Sequence, residues 1–389
     1  MSDRRATIVG VGSIPLSGGR APAESTVLGI QAQAAKQALE DCGLSLGDVD
    51  AVFTSGGWGV PGTGMMPALA VAEYLRISPR LVDSTCIGGA SFEAHVAHAA
   101  MALQSGACEV ALITYGSLQR SLRSRRFGGR QGELAAQYEV PFGLLSPVGS
   151  YALAATRYLH EYSAGPETLA HVAVAARQWA ALNPGAMKRD PLKIDDVLAS
   201  PLVSDPLRQL DCCLVTDGAG AVVLTTADRA AHCRRRPVLV AGCSSATNGQ
   251  VISQIPDLTD SPARRAASSV LEQSGLSVGD IDVFELYDSF TITVLLTLEA
   301  VGLCGQGEAG ELVASGAISP GGAYPTNTSG GGLADLHPGM FGIFLLIEAV
   351  RQLRGEGQER QVQGAKTALV VGTGGTLSAA SACTLVAPA

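Results

Sequence analysis

The chain has 389 residues, of which 47% are hydrophobic and 16% are charged, and its formal net charge is −8. This length is enough for two or three packed units with ample core, and the negative charge argues against a nucleic-acid-binding protein. No uninterrupted apolar run approaches the roughly 20 residues that span a bilayer, and the N-terminus does not resemble a signal peptide. The nine cysteines form no C-x-x-C pair, so neither a zinc site nor a disulfide framework is indicated. We therefore expect a cytoplasmic protein with no membrane association, no bound metal and no cofactor.

Strands and helices alternate in the first part of the chain. A β-branched strand over Thr7–Val11 precedes a helix from about Thr26 to Asp41, which ends at Gly43, and a strand over Ala51–Thr54 follows. The glycine-rich run from 55 to 64 lacks the G-K-[ST] ending of a phosphate-binding loop. That run predicts irregular backbone near a site or an interface.

The next unit, Leu81–Ser117, predicts a strand end, a cysteine, a long helix and another strand. From Gly88 to Leu103 the residues are small or apolar almost all round, which is typical of a helix buried on every side, and Gly106 occupies the usual C-terminal cap position. Cys86 is then expected at the start of the helix, where unpaired N–H groups and the helix dipole favour a thiolate. It is either a nucleophile or one more buried small hydrophobe, and local context does not decide between them.

A basic stretch and a helical region follow. Five arginines lie between residues 120 and 130, and they form either a solvated loop or a guanidinium cluster for the phosphates of a nucleotide-bearing substrate. The candidates for that second role are Arg123, Arg125 and Arg126. Residues 131–208 read mainly as helices joined by turns, which predicts an inserted helical lobe of about 119–208.

The second half of the chain repeats the first. Residues 34–53 align without gaps to residues 266–285, with ten of twenty positions identical at an offset of 232 (266 − 34). A long repeat of alternating strands and helices indicates a duplicated α/β domain and excludes a solenoid. We predict two domains, 1–230 and 231–389, whose strand ends face one another and form the site.

Three segments fall at these strand ends. They are Cys86, the run from Glu285 to Phe290, and the glycine-dense loop from Asn327 to Gly342 that contains His337. A cysteine and a histidine on corresponding elements of two repeats make a plausible nucleophile and base. His95 and His98 are three residues apart, but no carboxylate completes an H-E-x-x-H zinc pattern, so no metal site is expected there.

These residues resemble the thiolase superfamily over essentially the whole chain, and within it the group related to sterol carrier protein X. The signature runs Asn327-x-x-Gly330-Gly331-x-x-Ala334-x-x-His337-Pro338, and Cys86 matches the nucleophilic cysteine. The resemblance implies an α/β thiolase fold of duplicated βαβαβαββ domains in five α-β-α-β-α layers. It also implies an acyl-CoA substrate, with coenzyme A entering only as part of that substrate, and a homodimer.

The second catalytic cysteine of such enzymes is missing. Where the family has a C-terminal Cys-x-Gly this chain has Gly372-Thr-Gly374-Gly375, and where it has His-Asp-Cys-Phe this chain has Tyr287-Asp288-Ser289-Phe290. Cys383, in the final strand, is not expected to stand in. Relatives with this tyrosine are similar either to phloroglucinol acyltransferases, which keep the nucleophilic cysteine, or to steroid side-chain aldolases, which use tyrosines. Both commonly work with a small zinc-ribbon/OB-fold partner.

Because Cys86 and His337 are both present, the sequence favours an acyltransferase that makes or breaks a C–C bond through a Cys86 acyl-enzyme. In that hypothesis His337 and Tyr287 move protons, and backbone N–H groups at Cys86 and at Gly374–Gly375 hold the oxyanion. Asp288 and Ser289 position the site, with Asp288 either orienting it or capping a turn. The alternatives are a retro-aldolase that cleaves a β-hydroxyacyl-CoA with Tyr287, and a non-catalytic subunit that binds acyl-CoA or lipid.

Overall fold

The fold is taken from a computed structural model, which describes residues 3–56, 64–123, 133–144 and 147–388. Within these ranges none of the helices is both long enough and apolar enough to cross a membrane. The strands are β1 (Ala6–Ser13), β2 (Ala51–Phe53), β3 (Leu81–Asp83), β4 (Val110–Ser117), β5 (Leu202–Ser204), β6 (Leu207–Arg208), β7 (Gly218–Thr226), β8 (Val238–Thr247), β9 (Val283–Leu286), β10 (Thr367–Gly374) and β11 (Ala379–Val386).

The helices connect and cover these strands. They are α1 (Val27–Cys42), α2 (Pro67–Leu75), α3 (Ser91–Ser105), α4 (Glu133–Tyr138), α5 (Val148–Glu161), α6 (Glu167–Ala181), α7 (Ile194–Ala199), α8 (Ala227–Ala230), α9 (Ala263–Ser274), α10 (Thr291–Ala300), α11 (Ala309–Ala314), α12 (Gly331–Ala334) and α13 (Gly342–Arg354).

The strands form two similar halves that are joined edge to edge. The order is β3-β2-β4-β7-β1-β8-β11-β10-β9, and β1 pairs with β8 through only two residue pairs, Thr7 with Leu239 and Ile8 with Val238. The helices α3 and α13 pack against strands of both halves, whereas α1 covers the first half and α9 the second. This gives the predicted five layers, with α3 and α13 in the central one.

The repeated sequence builds the same turn twice. In each copy a serine donates its backbone N–H and its hydroxyl to an aspartate three residues on, Ser45 to Asp48 and Ser277 to Asp280. The aspartate two residues later accepts the backbone N–H groups at the start of the neighbouring strand: Asp50 binds Glu109 and Val110, and Asp282 binds Lys366 and Thr367. The Asp-x-Asp motif therefore fixes the N-terminal ends of two parallel strands in each half.

Most predicted elements are confirmed, and two details of the cysteine unit are wrong. Thr26 caps α1, and Gly43 and Gly106 adopt the left-handed conformation after α1 and α3, as expected. However, α3 begins only at Ser91, and a short 3-10 turn over Gly88–Ala90 comes before it, because Gly88 has a φ of +70° that a helix cannot continue. The helix is also not buried on every side, since Met101 is 59% exposed.

The inserted lobe lies over the second half. Its longest helix, α6, packs against α10, α11 and α12. Just after α6, the backbone N–H groups of Met187 and Lys188 donate to the carbonyls of Asp335 and Ala334, at 3.1 and 2.9 Å. The lobe thus holds the loop that carries His337.

Candidate active site

The end of β9 anchors the glycine-rich loop from Asn327 to Gly342, which is called the His337 loop below. The side-chain oxygen of Asn327 accepts the Leu286 backbone N–H at 2.7 Å, and the Asn327 N–H donates to the Phe284 carbonyl at 2.9 Å. Asn327 itself has a φ of +54°, a conformation that asparagine tolerates better than most residues. The asparagine of the signature therefore aligns the loop with the strand that leads into Tyr287.

Tyr287 and His337 form a buried pair. The Tyr287 hydroxyl and His337 Nε2 are 3.1 Å apart, and the same hydroxyl accepts the Phe341 backbone N–H at 3.1 Å. The two side-chain rings meet edge to face, and Phe341 stacks on the imidazole. Burial raises the pKa of Tyr287 well above its usual value, so the group is a neutral phenol with one proton to share with His337.

The backbone of His337 is clamped from the first half of the chain. Its N–H donates to Thr216 Oγ1 at 3.0 Å, and its carbonyl accepts the Thr216 N–H at 3.2 Å. The Tyr115 hydroxyl donates to the carbonyl of Pro338 at 2.7 Å. Both halves therefore position the imidazole, as the predicted meeting of strand ends requires.

Asp288 supports the His337 loop from beneath. Its carboxylate accepts the N–H groups of Gly332 and Leu333 at 2.7 and 3.1 Å. Burial raises the pKa of Asp288 to about 7, although these two donors oppose the shift. A Cβ on Gly331 would lie 2.1 Å from the carboxylate, which is why the loop has glycine there. These contacts favour the structural role among the two that the sequence left open.

The described contacts of Ser289 are with Thr293, Cys213 and Tyr151. Its hydroxyl lies 3.2 Å from the hydroxyl of Thr293 in α10, and its carbonyl accepts the Cys213 N–H at 2.9 Å. Ser289 therefore joins the segment after β9 to the chain around Cys213. A role in positioning substrate stays a prediction.

The loop that carries Cys86 is held by residues on either side of the cysteine. Asp83 accepts the backbone N–H and the hydroxyl of Thr85, each at 2.8 Å, and lies 2.6 Å from His98 Nδ1. His95 Nε2 lies 2.9 Å from the Thr85 carbonyl, and Ser91 Oγ accepts the Ile87 N–H at 3.0 Å. The two helix histidines thus anchor this loop. Sequence reasoning considered them only as metal ligands and missed this role.

The Cys86 side chain itself is exposed and lies five residues before α3. The expectation that Cys86 lies at the start of the helix is therefore wrong, because the 3-10 turn over Gly88–Ala90 lies between the cysteine and α3. The Ile87 N–H, next to the cysteine along the chain, donates to Ser91 Oγ.

Glycines let three segments meet around Tyr287. A Cβ on Gly89 would lie 2.2 Å from the Tyr287 ring, and a Cβ on Gly88 would lie 2.6 Å from the Gly375 nitrogen. A Cβ on Gly374 would lie 1.6 Å from the Ile87 carbonyl oxygen. The Cys86 loop, the Gly374–Gly375 turn and Tyr287 are therefore in direct contact, as the sequence predicted for these elements.

Of the three arginines predicted to bind phosphate, the structure describes one. Arg123 is exposed on the surface. Arg125 and Arg126 lie outside the described residues. A role for these three in binding coenzyme A stays a prediction.

Comparison with known proteins identifies the family. A 17-hydroxy-3-oxo-4-pregnene-20-carboxyl-CoA lyase of Mycobacterium tuberculosis is 37% identical over 96% of this chain and 98% of its own length. The family described as "Thiolase C-terminal domain-like" matches residues 244–387. The chain belongs to the thiolase superfamily. The resemblance stated from Cys86 and the Asn327–Pro338 signature is thereby confirmed.

Two further relatives extend the comparison. An acetyl-CoA acetyltransferase of Methanothermobacter thermautotrophicus is 33% identical over 87% of this chain and 90% of its own length. The solved structure of the Ltp2-ChsH2(DUF35) aldolase superposes with a TM-score of 0.87 at 30% identity, covering 100% of this chain and 99% of that one. The relatives of this thiolase-like chain thus include C–C lyases and acyltransferases.

Proposed function

We propose that this protein is a C–C lyase that cleaves a β-hydroxyacyl-CoA by retro-aldol chemistry. The observation that carries the proposal is the buried hydrogen bond between the Tyr287 hydroxyl and His337 Nε2, at 3.1 Å. Retro-aldol cleavage needs a group that takes the hydroxyl proton, and a phenol–imidazole pair can do so. The similarity to a lyase and to an aldolase over nearly the whole chain supports the same reaction.

The Phe341 N–H sets the direction of proton transfer through the Tyr287–His337 pair. Because the Tyr287 oxygen already accepts that N–H, it has one remaining lone pair and its own hydrogen to use. With neutral His337 as the acceptor, the phenol hydrogen points to Nε2 and the lone pair is left for the substrate hydroxyl. The substrate proton then passes to Tyr287 while the phenol proton passes to His337.

The substrate is a thioester of coenzyme A with a hydroxyl on the β-carbon. The test uses 17-hydroxy-3-oxo-4-pregnene-20-carboxyl-CoA, which the Mycobacterium tuberculosis relative is named for. Retro-aldol cleavage breaks its C17–C20 bond and yields a 17-keto steroid and propionyl-CoA. We further propose that the chain works with a DUF35-type partner, since the aldolase structure it resembles contains one, so the assay is run with and without such a partner.

Tyr287→Phe provides the decisive variant. We expect cleavage to fall by about 100- to 10,000-fold, because the proton acceptor is lost while the ring remains. Tyr324→Phe is the matched control, since that ring packs against Phe284 away from His337, and it should retain the wild-type rate. A Tyr287→Phe protein that cleaves at the wild-type rate would exclude the proposed role.

An acyltransferase that uses Cys86 is the second candidate. The observation that favours it is an exposed thiol on a loop that is fixed by Asp83, His95 and Ser91 and contacts Gly374–Gly375. Incubation with a panel of acyl-CoAs followed by intact-mass measurement tests it. An acyl adduct that disappears in Cys86→Ala would establish acyl transfer in place of the lyase. Binding of acyl-CoA with neither adduct nor cleavage would favour a non-catalytic subunit.

The homodimer is also proposed, from the edge of the sheet. β3 is the terminal strand of its half, and the apolar side chains beside it are exposed, including Met65, Leu69, Tyr74 and Val82. Edge strands and exposed apolar patches of this kind are commonly covered by another chain. Light scattering of the purified protein gives the mass, and a monomer would contradict the proposal.

A further inference from the structure

A fully buried carboxyl group lies behind the Cys86 loop and has no part in the steps above. Glu93 lies on the first turn of α3 and is 1% exposed. Neither of its carboxyl oxygens has a hydrogen-bond partner among the described residues. Buried carboxyl groups are normally paired or hydrogen-bonded, because an unpartnered one loses its hydration without compensation. Its presence at this place points to a use.

The carboxyl group occupies the space where a side chain of residue 372 would be. A Cβ built on Gly372 would lie 2.2 Å from Glu93 Oε2. Gly372 is the residue aligned above with the cysteine of the C-terminal Cys-x-Gly. The chain thus has no side chain at 372 and has a carboxyl group from α3 in the same volume.

Glycine backbone also borders the carboxyl group towards Tyr287. A Cβ on Gly342 would lie 2.7 Å from Glu93 Oε2 and 2.3 Å from the Gly89 carbonyl oxygen. Gly342 follows Phe341, whose N–H binds the Tyr287 hydroxyl, and Gly89 faces the Tyr287 ring. The backbone of Gly342 and Gly89 therefore lies next to both the Glu93 carboxyl group and the Tyr287 ring.

The protonation state suits an acid. Burial raises the pKa of Glu93 to about 8, so at neutral pH the group is mainly a neutral carboxylic acid with one proton to give. Carboxyl groups shifted towards neutrality in this way are the usual general acids of enzymes that work near pH 7.

We propose that Glu93 replaces the missing second cysteine and protonates the acyl-CoA enolate. This inference rests on the proposed lyase function. When the C–C bond breaks, its electron pair passes into the thioester carbonyl and forms the enolate, while the substrate hydroxyl proton passes to the Tyr287–His337 pair. The α-carbon of the enolate then takes the Glu93 proton, which leaves a carboxylate. The proton held by the pair returns to Glu93, so the hydroxyl proton ends on carbon and nothing else is consumed.

The test is hydrogen exchange at the α-carbon of the product. Propionyl-CoA is incubated in D2O with the enzyme and its partner, and deuterium uptake is followed by mass spectrometry. Wild-type protein should exchange, and Glu93→Gln, which keeps the shape but has no acidic proton, should exchange at least 100-fold more slowly with propionyl-CoA binding unchanged. Glu299→Gln is the matched control, because Glu299 is another buried glutamate, paired with Tyr158, and it should exchange like wild type.

A second pair of variants tests the proposal if Glu93→Gln does not fold. Glu93→Asp keeps a carboxyl group and should retain measurable exchange, whereas Glu93→Ala should not; equal rates in the two overturn the proposal. Wild-type exchange in folded Glu93→Gln overturns it as well, and leaves the lyase function intact. If wild-type protein with its partner neither cleaves the β-hydroxyacyl-CoA nor exchanges, the lyase function itself is refuted, and this step with it.

Discussion

The two helices of the central layer each carry a fully buried glutamate, and the surroundings of the two are opposite. On α13, Glu348 accepts two hydrogen bonds from the Arg360 guanidinium, at 2.8 and 2.9 Å. These bonds hold its pKa below the usual value although burial alone would raise it. On α3, Glu93 has no partner among the described residues and its pKa is raised to about 8. The same layer thus contains one carboxylate committed to structure and one carboxylic acid left free to react.

The largest expected effect comes from removing Arg360, the hydrogen-bond partner of Glu348. Arg360→Met leaves Glu348 as a buried charge without its partner, and we expect it to lower the free energy of unfolding by about 3–5 kcal/mol. Urea unfolding measures this. Arg157→Met is the control, because its ion pair with Glu161 is exposed and is worth about 1 kcal/mol or less. Equal losses in the two variants would show that the buried pair is not structural.

The next largest effect is the contribution of Glu93 to the pH dependence of stability. Between the pKa of an unfolded glutamate, 4.5, and the folded value of about 8, native Glu93 keeps its proton while the unfolded chain releases it. The native state then binds more protons, so wild-type stability falls as pH rises, by at most about 1.4 kcal/mol per pH unit. Glu93→Gln has no titrating group at this position, so this loss of stability with rising pH should be absent from the variant.

Thermal unfolding at pH 5, 6, 7 and 8 checks the sign. The melting temperature of Glu93→Gln relative to wild type should rise steadily across this range. Asp48→Asn should show a constant difference over the same range, because hydrogen bonds from Ser45 lower the pKa of Asp48 and its contribution is lost only as pH falls through the acid region. A constant difference for Glu93→Gln would contradict a buried neutral acid.

A smaller effect tests the space that Glu93 fills. Gly372→Ala places a Cβ 2.2 Å from the Glu93 carboxyl, and we expect a loss of about 1–3 kcal/mol from overpacking. In a Glu93→Ala background the same substitution should cost less, and the difference is the coupling energy of a double-mutant cycle. Gly279→Ala is the control, since its nearest neighbour would be 3.8 Å away. Additive losses would place the carboxyl group elsewhere.

The smallest effect is expected at Cys383. Its thiol lies 3.7 Å from the Glu93 backbone carbonyl, in β11, and has no contact with Tyr287 or His337 among those described. Cys383→Ala should lower stability by about 1 kcal/mol through lost packing and leave cleavage unchanged. A large loss of cleavage would mean that this thiol supplies the second cysteine after all.

The sequence predicted the fold and the meeting of Tyr287, His337 and the Gly374–Gly375 turn, because Tyr287 and the turn lie at strand ends of a recognisable repeat and His337 belongs to the Asn327–Pro338 signature. It misplaced the helix start near Cys86, since the left-handed conformation of Gly88 is a property of the tertiary contact with Gly375 and leaves no local signal. Glu93 was also not identified as a candidate residue from the sequence. One acidic residue in an apolar helix has a weak signal, and only the fold shows that the residue opposite is glycine.

The duplicated Ser-x-x-Asp-x-Asp turns have an evolutionary consequence. They lie at the strand starts, whereas Tyr287 and the Cys86 loop follow the strand ends, so framework and chemistry occupy opposite edges of the sheet. Each copy must begin two parallel strands with the same backbone donors, and at these turns the two halves have the same residues. At the other edge one copy was free to acquire a cysteine loop and the other a tyrosine and a histidine. A single chain thereby shows which part of a duplicated unit the backbone requires and which part can differ between the two copies.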